Sequence, residues 1–219
     1  MRWSETAVVV LVVVALLVWL VWVSASRLDR LHRKVGASRS VVETQLVRRA
    51  TAAAELATSG LLDPVSSVLV GEAAWAALST EGGATAPDAP ADLRALLSSD
   101  PRPAADRAFP AADGASPEDV GRVESELSAT LREVLADEDE VRALRDDPAG
   151  GELLEALSSS WYRVELSRRF HNEAVLQTQR VRRGPFVRML RLAGHAPEPR
   201  TLELDDAWPT TLGRPGVRA

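Results

Sequence analysis

The run Thr6–Val23, TAVVVLVVVALLVWLVWV, contains no charge, no proline and no glycine. It constrains the rest of the chain more than any other feature. As a helix it would be about 27 Å long at ~1.5 Å per residue. With Ser24 and Ala25 added it approaches the ~30 Å of a bilayer's hydrocarbon core. The sequence therefore predicts a transmembrane helix over 6–25, with 1–5 as a short extracytoplasmic N-terminus. Arg2 and Glu5 precede the run, whereas Arg27, Arg30, Arg33, Lys34 and Arg39 follow it closely. Lysine and arginine collect on the cytoplasmic side of a span. The expectation is a single-pass protein of the cell membrane, N-terminus outside and C-terminal domain cytoplasmic. Trp3 at one end and Trp19 and Trp22 at the other suit the two interfacial belts. The competing reading is a signal peptide cleaved after Ala25, which would release a secreted soluble bundle. Against it stand an apolar run longer than the usual ~7–15 residues and a weakly basic start.

The remaining polypeptide suffices for one modest domain in this chain of 219 residues. Period-two alternation is scarce and Tyr162 is the only tyrosine, so an all-α body is expected. The absence of cysteine removes disulfides, thiolate metal sites and cysteine nucleophiles. Net charge is −5, yet residues 1–58 hold eight cations (Arg2, Arg27, Arg30, Arg33, Lys34, Arg39, Arg48, Arg49) against four carboxylates (Glu5, Asp29, Glu43, Glu55). The body is acidic and lacks a basic, aromatic-studded face, which argues against nucleic acid as a partner.

Beyond the span, Ser26–Ser59 reads as one long helix continuing directly from it. Its apolar stripe is Leu28, Leu31, Val35, Val42, Leu46, Ala50, Ala53 and Ala57, with Arg30, Arg33, Arg48 and Arg49 assigned to the opposite side. Gly36 is a weak point and Gly60 a stop. A second helix is expected over Leu61–Leu78, capped by Asp63-Pro64, with Val65, Val68, Leu69, Glu72, Trp75 and Leu78 as its stripe. The stretch 81–117, dense in Pro, Ala, Gly, Asp and Ser, predicts a flexible insertion with one helical turn at Asp92–Ser98. We read it as a tolerated insertion in preference to a binding lid. Ser116 and Pro117 open a helix to about Ala136, with Val120, Val123, Leu127, Leu131 and Val134 on one face. The acidic run Asp137–Glu140 lacks EF-hand spacing and reads as a solvated helix start. Asp147–Gly151 (DPAGG) predicts a break. The helix after it, Glu152–Arg182, carries Leu153, Leu157, Trp161, Val164, Arg168, His171 and Val175 in one stripe, widened by Leu154, Leu166, Phe170 and Ala174. Gly184-Pro185 ends it, before a short basic amphipathic piece, Phe186–Leu192, and an irregular tail over 194–219. These elements predict an antiparallel bundle of three to four long helices over 26–193.

Leu166-Ser-Arg-Arg-Phe-His-Asn-Glu-Ala-Val175 resembles the ARRFYNDAV signature of the LemA family of bacterial membrane proteins. Arg27–Ala50 resembles that family's first helix, with Val41, Gln45, Leu46, Arg48 and Arg49 as the matching positions. The resemblance covers about 1–60 and 118–205, in the family's order. His171 stands where the family has Tyr, and 81–117 has no counterpart. The resemblance implies an N-terminal anchor, a short outer N-terminus and a cytoplasmic helical bundle; it implies no catalytic mechanism.

Two groups of residues are candidate partner or lipid contacts. Arg27, Arg30, Arg33 and Lys34 form a juxtamembrane basic cluster, for which attraction to anionic headgroups at ~1 kcal/mol per charge and a topology signal alone are equal readings. Arg168, Arg169, Asn172 and Glu173 are the polar residues of the LemA-like signature. The two arginines suit either an acidic partner or lipid headgroup, or structural ion pairs with Glu165, Glu173 and neighbouring helices, and the structural role is expected. His171 is expected to pack and hydrogen-bond. Asp29 and His32 have the spacing of two metal ligands but lack the further carboxylates of a di-iron bundle. No HExxH, GxSxG, P-loop or GxGxxG occurs. The expected function is thus a non-enzymatic scaffold or docking module with a protein partner or a second copy, with no cofactor and no metal. The alternatives are a membrane-tethered hydrolase or lipid-modifying enzyme with a fold-assembled site, and the secreted bundle.

Overall fold

A computed structural model describes residues 2–82, 116–190 and 198–215. The expected insertion lies almost entirely outside the described residues, as does the helical turn at 92–98. Among the described residues the fold is all-α, with six helices: α1 (Arg2–Thr58), α2 (Pro64–Gly82), α3 (Pro117–Val134), α4 (Glu138–Asp146), α5 (Pro148–Arg182) and α6 (Pro185–Met189).

Local chemistry sets most of these boundaries. Helix α1 ends before Gly60, whose φ of 76° is a left-handed conformation that a side chain would disfavour. The Asp63 carboxylate caps α2 by accepting from the Val65 and Ser66 amides. Ser116 and Asp119 form a reciprocal capping box at α3. Asp137 caps α4 through the Asp139 and Glu140 amides. Boundaries differ from expectation at α2, which runs to Gly82 rather than Leu78, and at the start of α5. The Asp147–Gly151 stretch does not separate two helices; α5 starts at Pro148, because Asp147 accepts from the Gly150 amide and Pro148 occupies the first turn. The only break is at Asp147, and both glycines are helical.

The chain divides into two compact units. The first comprises Met1–Val41 and Arg169–Thr201. It contains the apolar run, whose side chains are exposed along 6–20. Among the described residues, this N-terminal helix is the one long and apolar enough to cross a membrane. Further along α1, Ser38 Oγ lies 3.0 Å from His171 Nδ1 and His32 Nε2 lies 3.3 Å from Arg182 Nη1, joining α1 to α5.

The second unit comprises Val42–Arg168 and Leu202–Ala219. It is an antiparallel bundle. Its core is drawn from α1 (Ala50, Ala53, Leu56), α2 (Val70, Ala74, Ala77), α3 (Val123, Leu127, Leu131), α4 (Val141, Leu144) and α5 (Leu154, Leu157, Trp161). Val42, Leu46, Val164 and Leu202 form a second cluster. The α1 and α3 stripes match expectation. The α2 stripe does not: Val65, Val68, Leu69 and Trp75 are exposed, Trp75 by 72%. The buried side of α2 consists of Val70, Ala74 and Ala77, with Gly71 against Ala57. Small residues let two helix axes approach closely, so the small face packs and the large one remains outside. Leu166 and Phe170 on α5 are likewise exposed, by 40% and 65%, and do not widen the core stripe.

Residues 202–213 are irregular yet ordered against the bundle. Leu202 and Leu212 are buried, Trp208 lies 6.1 Å from Trp161 between ring centroids, and Ser158 Oγ donates to the Gly213 carbonyl. Gly121 on α3 makes room for this strap: a Cβ there would sit 2.1 Å from the Glu203 carbonyl oxygen.

Candidate functional site

Two features of the second unit are not explained by apolar packing alone. The first is a buried ion pair. Arg49 and Glu124 expose 0% and 1% of their side chains and meet at 2.5 Å. Arg49 Nη1 also donates to Ser128 Oγ at 2.9 Å and Nη2 to the Glu124 carbonyl at 3.1 Å. Its guanidinium lies 5.1 Å from the centre of the Trp161 ring. Burial pushes the Glu124 carboxyl up from the ordinary glutamate value, against the pull of the adjacent Arg49. Arg49 was assigned from sequence to the solvent side of α1; it lies in the core. Its register holds the signal that finds it, since Arg49 is seven residues beyond Val42 and three beyond Leu46, both buried.

The second feature is a groove of ≈ 300 Å³ at one end of the bundle. Its walls are the turn before α2, the end of α3 and the inward side of α4. Leu61, Leu62, Val134, Val141 and Leu144 supply apolar surface; Asp63, Glu140 and Asp147 supply carboxylates. Among the described residues, no lysine or arginine lines it. Asp63 and Asp147 are held in place because each caps a helix, and the hydrogen bond from Ser66 holds the Asp63 carboxyl below its ordinary value. The groove is a concave apolar surface with fixed negative charge around it. Ser66, whose side chain hydrogen-bonds the Asp63 carboxylate, also lines it.

Protein-family models, curated proteins and solved structures return no match to this chain.

The residues singled out from sequence lie elsewhere. Arg27, Arg30, Arg33 and Lys34 are all exposed on α1, and Arg33 is paired with Asp29 one turn away. Thr6 and Val23 bound an exposed apolar segment. Arg168 is engaged structurally: its Nε and Nη2 donate to Asp206 Oδ2 of the strap at 2.9 and 2.7 Å. Trp161 Nε1 donates to the Asp206 carbonyl and Arg132 pairs with Asp205, so one stretch of strap is fixed from two helices. Arg169 and Glu173 are exposed and Asn172 is half-buried. His171 is buried against Ser38, as expected. Asp29 and His32 turn to Arg33 and Arg182, and no group of three metal-ligating side chains occurs among the described residues. The groove carries no sequence signal, because segments distant in the chain build it and none carries a motif.

Proposed function

We propose that this chain is a LemA-like, single-pass membrane protein whose cytoplasmic helical bundle is a non-enzymatic docking module for a partner protein. The observation that carries this reading is the preformed groove between α2, α3 and α4, apolar inside and acidic at its edge. A concave apolar surface with a few fixed polar groups is how proteins recognise an inserted side chain. Three further observations support the reading. The N-terminal helix has the length and composition of a span. The basic cluster Arg27–Lys34 follows that span, as expected of its cytoplasmic side. The LemA-like signature and first helix appear in the family's order.

Site-specific photo-crosslinking tests the reading in native membranes. Ala143, exposed and lining the groove, would be replaced by benzoylphenylalanine, with Thr51 on the exposed side of α1 as control. The expected result is a discrete adduct from position 143 that position 51 does not give, in a fraction resistant to alkaline carbonate. Identical adduct patterns from both positions would refute docking at the groove, and release by carbonate would refute the anchor.

A further inference from the structure

The groove's charge identifies the kind of segment that fits it. We propose that it receives a cationic amphipathic peptide segment of a partner protein, one or two apolar side chains inserting among Leu61, Leu62, Val141 and Leu144 while lysine or arginine beside them faces Asp63, Glu140 and Asp147. This inference rests on the docking reading above and adds the chemistry of the partner.

Charge complementarity carries the argument. Among the described residues, three carboxylates line the groove and no cation does. The imbalance extends over α4 and its caps. Between 137 and 147 six carboxylates (Asp137, Glu138, Asp139, Glu140, Asp146, Asp147) face two arginines. Both arginines are engaged locally, Arg142 by Asp139 and Arg145 by the Thr211 carbonyl. Glu140 makes no ion pair among the described residues. An acidic or neutral segment entering this groove would dehydrate carboxylates without offering them a partner, whereas arginine or lysine replaces the lost water. The same charge repels anionic lipid headgroups. It also disfavours α2 of a second copy, whose exposed apolar side carries Glu72 and no cation. The volume of ≈ 300 Å³ is at the lower limit of ligand pockets and suits one or two side chains of a peptide better than a whole helix face. Fixed carboxylates also steer a cationic partner toward the groove, so binding should weaken with salt.

The test uses the full chain in nanodiscs of zwitterionic lipid, with empty nanodiscs as background. The probe is a fluorescein-labelled amphipathic peptide of leucine, alanine and arginine; its counterpart has glutamate at every arginine position. Anisotropy is read for the wild type, for Glu140→Arg, which reverses one exposed charge, and for Ala143→Trp, which fills the groove. The expected result is salt-sensitive binding of the arginine peptide, about tenfold or more tighter than that of the glutamate peptide. Glu140→Arg should weaken it about tenfold and Ala143→Trp should abolish it. Equal binding of both peptides, each blocked by Ala143→Trp, would overturn the cationic inference while leaving the docking groove intact. No binding of either peptide, or binding indifferent to Ala143→Trp, would overturn both. Concentration-dependent self-association lost in Ala143→Trp would assign the groove to a second copy and also overturn the inference. Circular dichroism of each variant shows that its helices are intact.

Discussion

Replacing Arg49 by methionine removes a charge from the centre of the bundle and leaves a shorter, unbranched apolar side chain. The change strands the Glu124 carboxylate, 1% exposed, whereas the Ser128 hydroxyl and the Glu124 carbonyl keep their hydrogen bond to each other. Breaking a buried pair from one side costs about 3–5 kcal/mol, because the remaining charge has no water and no partner. At ~2–4 °C per kcal/mol for a chain of this size, the melting temperature should fall by roughly 6–20 °C. The pair is itself incompletely satisfied: Arg49 Nε and Glu124 Oε1 are buried without a hydrogen-bond partner among the described residues. Removing both charges in Arg49→Met/Glu124→Leu should therefore recover most of the loss, to within about 1 kcal/mol of the wild type or above it. Thermal melts followed by circular dichroism, on the full chain in detergent, measure all three variants in one cycle. Acidification should narrow the gap for Arg49→Met. Burial raises the Glu124 carboxyl, and loss of Arg49 removes the group that opposed the shift. Between the unfolded carboxyl value of about 4.5 and the folded one, the native state binds more protons than the unfolded chain, so stability rises as pH falls through that window. A single-mutant loss below about 1 kcal/mol, with additive effects in the double mutant, would refute the buried pair.

Further outcomes follow from other sites. Gly121→Ala places a methyl group 2.1 Å from the Glu203 carbonyl oxygen and should cost about 1–3 kcal/mol, whereas Gly36→Ala, with nothing within 4 Å, should gain about 0.5–1 kcal/mol in the same melts. Arg168→Lys cannot reproduce two donors on one Asp206 oxygen and should expose the strap to limited proteolysis nearly as much as Arg168→Ala; equal resistance of the wild type and both variants would contradict the contact. Burial and the neighbouring Arg182 lower the His32 pKa. Its contribution to stability is present above the ordinary value of about 6.5 and lost as pH falls through the lowered one, so His32→Gln should flatten stability against pH in that window.

Elements whose packing obeys a single period were legible in the sequence. Helix α1 buries Leu28, Val42, Leu46, Ala50, Ala53 and Ala57 as its spacing predicts, and the caps at Asp63 and Ser116 were readable from residue type. Where packing departs from hydrophobicity ranking, reading failed. On α2 the bulky residues suggested the core, yet close approach favoured Val70, Ala74 and Ala77, leaving Trp75 outside. Arg49 was placed outside because charge ordinarily is; the partner that permits its burial, Glu124, lies 75 residues away. The strap has no periodicity, and its order comes from contacts such as Arg168–Asp206 and Trp161–Trp208. The LemA-like signature contains Arg168, but nothing in it pointed to an acidic strap or to a groove formed by helix ends.

The side of the membrane on which the bundle lies decides whether any cytoplasmic partner can reach it. The chain has no cysteine, so Ala129→Cys on the exposed side of α3 gives a single thiol. Intact cells would be treated with a membrane-impermeant maleimide before and after lysis. Protection until lysis is the result the account predicts. Labelling of Ala129→Cys in intact cells would contradict it and place the bundle outside the cytoplasm.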